Sequence, residues 1–357
     1  MPQKSTLNVI KILFVPVSAA KGSGEYQRCL LIANELKLIL EDKIDIRFVI
    51  SCDATYADSV PFMTYKLAAS ATKMPRELHA IIAELSPNMT VFDCSGRVKS
   101  YRFAKKNSSK VALIVSRPKK RKRAFSWRVA PFIDLIVSAS HLPKLCELSL
   151  SEKITMYMLR SLHVELVNAL FQAPRKLASN VTNILPKKYC FLFLTGGQYI
   201  FDNVNVPKLT SEIAHTIANK CEMPCVIINS NIKEPHTSNN IISLPPQSNA
   251  DFISLLSSAE ICVVGTGDVA AQALALNKPS IMVATSKTGR QYLADYIELN
   301  VTLGATLSPE DIANNVIELN SSKAKESQKE NQNKYGFSNG TKQTVDAILN
   351  LVNDQKL

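Results

Sequence analysis

Short runs of Val, Ile, Leu and Phe recur along this chain, most of them without polar alternation. A stretch of helical period follows most of them, and the whole series occurs twice. In the first half the runs are NVIKILFVPV (8–17), IDIRFVI (44–50), MTVFDC (89–94), KVALIVS (110–116) and PFIDLIVSA (131–139), with EYQRCLLIANELKLIL (25–40) and PRELHAIIAEL (75–85) between them. Continuous apolar runs mark strands buried on both faces, and intervening helices make the sheet parallel. The series restarts at YCFLFLTGG (189–197) and continues through PCVIINS, NIISLPP, EICVVGTGD and PSIMVAT, again separated by helical stretches. The expectation is an α/β chain of two Rossmann-like domains with a cleft between them, residues 1–183 and 184–357. The boundary falls in NILPKK, and a terminal helix follows in TVDAILNLVND. The stretch 141–187 reads as helical with a polar tail, and residues 320–340 as a polar segment.

The 357 residues, 46% of them hydrophobic, suffice for two cores. No apolar run reaches the roughly 18 residues of a membrane span, and the N-terminus reads as a strand rather than a leader. A cytoplasmic protein is expected. The eight cysteines are scattered, and only Cys221 and Cys225 are close in sequence. They read as reduced thiols, not as a metal site. The formal charge of +12 favours anionic partners.

The first apolar run leads into Gly22-Ser23-Gly24, and a helix opens there. A strand, a Gly-x-Gly turn and a helix let backbone approach a ligand closely, and N–H groups at a helix start favour anions. The second half repeats the device at Gly265-Thr266-Gly267, followed by Asp268, and glycines 196 and 197 end the strand that opens that half. In open α/β sheets ligands sit at such carboxyl ends. VFDCSGR places Asp93, Ser95 and Arg97 at the same kind of edge. The histidines do not cluster, and neither a nucleophile elbow nor an Asp-x-Asp pair occurs. A serine hydrolase is therefore not expected, and neither a metal nor a cofactor is.

GSGEYQRCLLIANEL resembles the Gly-rich segment of the UDP-sugar hydrolases of pseudaminic acid synthesis. It is similar, more distantly, to that of the peptidoglycan lipid-linked N-acetylglucosaminyltransferases. Gly22, Gly24, Arg28, Cys29 and Leu30 match, while Glu25 stands where the hydrolases carry a histidine. SLPPQSNADFISLLSSAEICVVGTGDVAAQALALNKPSIMVATSKTGRQ resembles the donor-binding region of the same GT-B enzymes. The resemblance implies that Gly265, Thr266, Gly267 and Asp268 hold a donor pyrophosphate, and that main-chain groups near Ser243 and Leu244 read the base. It implies Gln272, in place of the usual glutamate, at the ribose, and Arg290 and Gln291 at the sugar or phosphate. Gly22, Ser23, Gly24, Arg28, Arg97, Gly196 and Gly197 would complete the substrate contacts. Glu25 is the first candidate for the base and Asp93 the second, since a carboxylate can deprotonate an acceptor hydroxyl.

SRPKKRKRAFSWR (116–128) is strongly basic and contains no acid. It reads as a loop at a carboxyl edge. A nucleic-acid surface would interleave stacking aromatics, which it lacks. An anionic membrane surface or a phosphorylated acceptor, met through Lys119–Arg123, fits better, peripherally and without a hydrophobic anchor. The expected function is metal-independent transfer of a sugar from a nucleotide-sugar, UDP-linked by the resemblance, to a glycan, lipid-linked or protein acceptor in cell-surface glycan synthesis. Nucleotide-sugar hydrolysis and non-catalytic nucleotide-sugar binding are the alternatives.

Overall fold

The computed structural model describes residues 9–17, 24–93, 97–140, 142, 147–195 and 200–353. The chain forms two compact units. The first comprises Met1–Ser140, Leu145–Leu170 and Gly340–Leu357; the second comprises His141–Lys144 and Phe171–Asn339.

The first unit runs β1 (Ile10–Pro16), α1 (Gly24–Leu40), β2 (Ile44–Ser51), β3 (Met63–Leu67), α2 (Pro75–Leu85), β4 (Met89–Asp93), α3 (Val98–Lys106), β5 (Lys110–Val115), α4 (Pro118–Ala124), β6 (Leu135–Ala139), α5 (Leu150–Met158) and β7 (His163–Val167). The strands form one sheet in the order β3-β2-β1-β4-β5-β6-β7, and every pairing is parallel. β4 and β6 are buried at every position, as a sheet covered on both faces requires. Cys29, Ile32 and Leu36 of α1 pack on one face; Leu78, Ile82 and Leu85 of α2 and Tyr101 and Ala104 of α3 pack on the other.

The second unit runs α6 (Ser179–Thr182), β8 (Cys190–Phe193), β9 (Ile200–Phe201), β10 (Val204–Asn205), α7 (Val206–Lys220), β11 (Cys225–Ile228), β12 (His236–Ser238), β13 (Ile241–Leu244), α8 (Asn249–Ser258), β14 (Ile261–Gly265), α9 (Asp268–Ala275), β15 (Ser280–Val283), α10 (Lys287–Glu298), β16 (Leu303–Ala305), α11 (Pro309–Leu319) and α12 (Ser322–Lys334). Its main sheet has the order β12-β13-β11-β8-β14-β15-β16, with only the short edge strand β12 antiparallel. In both sheets the first strand of the unit lies between its second and fourth main strands. The order of connection reverses there, so the flanking loops diverge and leave a crevice at the carboxyl edge.

Several sequence expectations change. The units divide at 170/171 rather than at 183/184. The stretch expected to be helical holds a seventh strand, β7, paired with β6. The basic segment is a helix, α4, opened by Pro118 at its first turn. The polar segment contains α12, which glutamines hold to the sheet in place of an apolar stripe. Gln328 accepts the Ser280 N–H at 2.9 Å and donates to the Ser280 carbonyl at 3.3 Å; Gln332 donates to the carbonyls of Lys278 and Val301. The terminal helix, α13 (Thr341–Asn353), belongs to the first unit. Its Val345, Ile348, Leu351 and Val352 join the core beside α1. Gly340 leads into it, donating to the Ala169 carbonyl, and a side chain there would collide with Val167.

Candidate functional site

In the first unit the reversal point lies between β1 and β4, the strands that lead to the two segments singled out in the sequence. Gly22, Ser23 and Ser95 lie outside the described residues. Gly24 opens α1 and the half-buried Glu25 occupies its first turn, where the helix dipole favours a carboxylate. One turn on, the buried Arg28 donates from Nε to Asp93 Oδ2 at 2.9 Å and from Nη2 to Oδ1 at 3.0 Å. Asp93 is wholly buried at the end of β4. Two residues expected to meet substrate separately are thus bound to each other. A carboxylate with both oxygens engaged by a guanidinium and no solvent contact fastens α1 to β4, and is poorly disposed to take a proton. Glu25 is the accessible carboxylate of the pair of candidates. Arg97 sits at the N-cap of α3 with its side chain exposed.

In the second unit the reversal point lies between β8 and β14. Gly265 ends β14 against Leu194, just past β8, and its Cβ position is filled by the Leu194 carbonyl. Only glycine permits that approach. Thr266 is buried and its hydroxyl fills the space where Gly289 would carry a side chain. Through this contact the first turn of α10 packs on the β14 turn. Ser286 caps α10, accepting the Gly289 N–H at 2.9 Å. Gly267 caps α9 and faces open space, and Asp268 is exposed beside it. Two helix starts therefore meet one glycine turn, an arrangement suited to an anion. Gln272 is buried one turn into α9, and Gln291 is exposed on α10. Arg290 is paired with Asp202 and lies over the Phe201 ring at 5.1 Å. Asp202 and Asn203 form the two-residue turn between β9 and β10, both at positive φ, as a type I′ hairpin demands. Gly196 and Gly197 lie outside the described residues.

A cavity of about 460 Å³ opens at the same carboxyl edge, at the ends of β8 and β11. Phe193 and Phe252, in edge-to-face contact at 4.9 Å, give it an aromatic wall. Asn229, Ser230, Asn231, Gln247 and Lys208 supply polar groups. Its size falls in the usual range for small-molecule sites. Leu194 lines the cavity and also touches Gly265, so cavity and glycine turn are neighbours across β8. None of these polar residues stood out in the sequence, although INSN directly after a strand was a visible signal. Leu244 did stand out, but its side chain is wholly buried and its carbonyl accepts the Asn229 N–H at 2.8 Å. Pro246 and Gln247, a little further on, reach the cavity instead.

The basic segment is only partly a surface. Lys119, Lys122 and Arg123 are exposed on α4, whereas Arg121 is buried and donates to both oxygens of Glu152, at 2.8 and 2.7 Å. The expectation that Lys119–Arg123 form one cationic strip is corrected at Arg121. Among the described residues, no helix is long and apolar enough to cross a membrane.

No protein-family model matches the chain, and no curated protein matches it. Solved structures do match along nearly all of its length. The glycosyltransferase VinC, solved in complex with dTDP, has a TM-score of 0.62 at 11% identity, over 97% of this chain and 100% of its own. A Listeria monocytogenes protein named as a UDP-N-acetylglucosamine 2-epimerase has a TM-score of 0.59 at 12% identity, over 95% and 96%. MnaA of S. aureus, solved with UDP, has a TM-score of 0.57 at 12% identity, over 96% and 98%. Identities this low carry architecture and not chemistry. With two seven-stranded sheets in Rossmann-like order and these neighbours, the chain has the GT-B fold.

Proposed function

We propose that this chain is a glycosyltransferase that moves a sugar from a nucleotide-sugar, bound on the second unit, to an acceptor bound on the first. The observation that carries the proposal is the meeting of the α9 and α10 starts at the Gly265–Gly267 turn, beside the cavity walled by Phe193 and Phe252. The cavity suits a flat base, with Asn229, Asn231 and Gln247 as hydrogen-bonding partners. The turn suits a pyrophosphate, with Gln272 within one helical turn for a ribose hydroxyl. Arg290 is exposed, and surface ion pairs such as Arg290–Asp202 are worth only about 0–1 kcal/mol, so a phosphate can compete for it. VinC and MnaA, solved with dTDP and UDP, favour a nucleotide ligand for this fold.

In the proposed reaction Glu25 takes the proton of an acceptor hydroxyl as its oxygen attacks the anomeric carbon. The bond from that carbon to the phosphate oxygen breaks, and the nucleoside diphosphate leaves. Charge developing on the leaving group falls to the first-turn N–H groups of α9 and α10. Since these groups need no metal, turnover should survive excess EDTA. The resemblance of the Gly-rich segment suggests a cell-surface glycan as acceptor, reached from the cytoplasmic side, with the basic helix α4 toward an anionic membrane.

The test is nucleotide release from a panel of UDP-, dTDP-, GDP- and CMP-sugars, with and without candidate acceptors. Release that requires acceptor supports transfer. Failure of every donor to bind would overturn the assignment. A second possibility, reaction of the nucleotide-sugar with no acceptor, draws on the Listeria neighbour, named for acting on such a compound alone. Release or conversion without acceptor would favour it, and binding without turnover would favour a non-catalytic protein.

A further inference from the structure

The basic helix α4 has a companion that the sequence did not single out. α5 begins with a capping box, in which Ser149 and Glu152 satisfy each other's backbone N–H groups. The inward side of α5 is fixed to the α4 segment. Arg121 holds Glu152 and also donates to the Glu147 carbonyl, and the Thr155 hydroxyl donates to the Phe125 carbonyl. The outward side is apolar. Leu150, Ile154, Tyr157 and Met158 are 76%, 49%, 78% and 61% exposed, and their spacing of four, three and one puts them on a single helical stripe. Trp127, three residues past the end of α4, is 54% exposed. Scattered exposed hydrophobics are ordinary, but a contiguous set marks an interaction surface.

The charges beside this stripe are nearly all of one sign. Lys119, Lys122, Arg123 and Arg128 are exposed on and after α4, and Lys153 and Arg160 on and after α5. Of the three acids between Ser116 and Leu162, Asp134 is buried against Lys105, and Glu152 is held by Arg121. Glu147 alone is exposed. An apolar stripe carrying Tyr, with an exposed Trp and a run of cations on the segment fixed to its helix, is the profile of a surface that lies in the interface of an anionic bilayer.

We propose that the outward face of α5, Trp127 and the exposed cations of α4 form one surface that docks on an anionic lipid bilayer. The apolar side chains enter the boundary between headgroups and acyl chains, and the cations meet lipid phosphates. This rests on the membrane-facing role given to α4 above. It departs from the peripheral, anchor-free contact read from the sequence, because the structure supplies the anchor.

Trp127 is the chain's one tryptophan, so its emission reports on this surface alone. Mixed phosphatidylglycerol–phosphatidylcholine vesicles should shift that emission to the blue, brominated acyl chains should quench it, and the protein should sediment with the vesicles. Added salt should weaken binding without abolishing it. Changing Leu150, Ile154, Tyr157 and Met158 together to Ser should weaken partitioning by about tenfold or more and remove the salt-resistant part and the quenching. These side chains are exposed, so the melting curve should be unchanged. Lys119→Ser/Lys122→Ser/Arg123→Ser, which spares the buried Arg121, should instead remove the salt-sensitive part. Unchanged emission, with the wild type left in the supernatant, overturns the proposal. So does a dimer in light scattering that the α5 variant dissolves, which would make the stripe an interface between copies. Nucleotide affinity, measured on the same variants, should be unaffected, so loss of the lipid result and loss of the donor assignment are separate outcomes.

Discussion

Gly265 and Gly267 stand two residues apart and answer to different constraints. Gly265 is required by the protein itself, since the Leu194 carbonyl fills its Cβ position. Gly265→Ala should therefore lower stability by about 1–3 kcal/mol, the usual cost of overpacking, in urea unfolding. Gly267 faces open space, so Gly267→Asp should fold with an unchanged melting temperature yet lose nucleotide affinity in calorimetry, through repulsion of the pyrophosphate. Unchanged affinity would remove the turn from the donor site. The two candidate bases of the first unit separate in the same way. Glu25→Gln should leave donor affinity within a few-fold while turnover falls by about 10²-fold or more, the scale of a lost general base. Arg28→Met should instead destabilise by about 3–5 kcal/mol, because it removes the guanidinium that engages both oxygens of the buried Asp93, and Arg28→Met/Asp93→Leu should recover most of the loss. If the double variant is no more stable than the single one, the pair is not the fastening between α1 and β4.

At the scale of elements, what the sequence disclosed was whatever is written in apolar period. The β4, β5 and β14 runs are nearly uninterrupted, and β1 is broken only at Lys11, because both sheet faces are covered. The glycine turn after β14 was visible because close approach leaves no alternative residue. β7 was missed because HVELV is an edge strand with only its last residue buried. α12 was missed because amides rather than apolar side chains hold it. The cavity was missed because its polar groups come from two loops and the start of α7 and converge only in the folded unit. In sequence α4 reads as a loop of five outward cations, because the partner that turns Arg121 inward, Glu152, lies 31 residues away. That inward pair also makes the junction of α4 and α5 sensitive to acid. Burial alone would push the Glu152 carboxyl upward, but hydrogen bonds from Arg121 and Ser149 outweigh it and hold it below the ordinary glutamate value. Its contribution is therefore complete above the unfolded pKa of about 4.3 and is lost as the pH falls through the lower, folded value. Thermal melts of Glu152→Gln should lie below wild type at neutral pH and converge with it in that acid range. A constant gap would show that the carboxylate's charge is not what matters.

For the whole molecule, the decisive feature is the return of the chain at Gly340 to the unit in which it began. Burying Val345, Ile348, Leu351 and Val352 is worth about 1.5–3 kcal/mol each as an upper measure. The sum is comparable to the entire stability of a typical domain, about 5–15 kcal/mol. Deleting residues 341–357 should accordingly unfold the first unit while the second, whose core lies within Phe171–Asn339, persists. Limited proteolysis of the truncated protein should yield a resistant fragment spanning roughly that second unit. Equal protection of both units would overturn the assignment of α13. The same return of the chain bears on how the protein emerges from a ribosome. Domains ordinarily fold in the order of their synthesis, but here the first unit lacks a core helix until α13, which follows the whole second unit in sequence, has been made. The unit begun first is completed after the second has been made, and until then the part of its sheet face beside α1 that α13 covers is left as apolar surface that a chaperone could occupy.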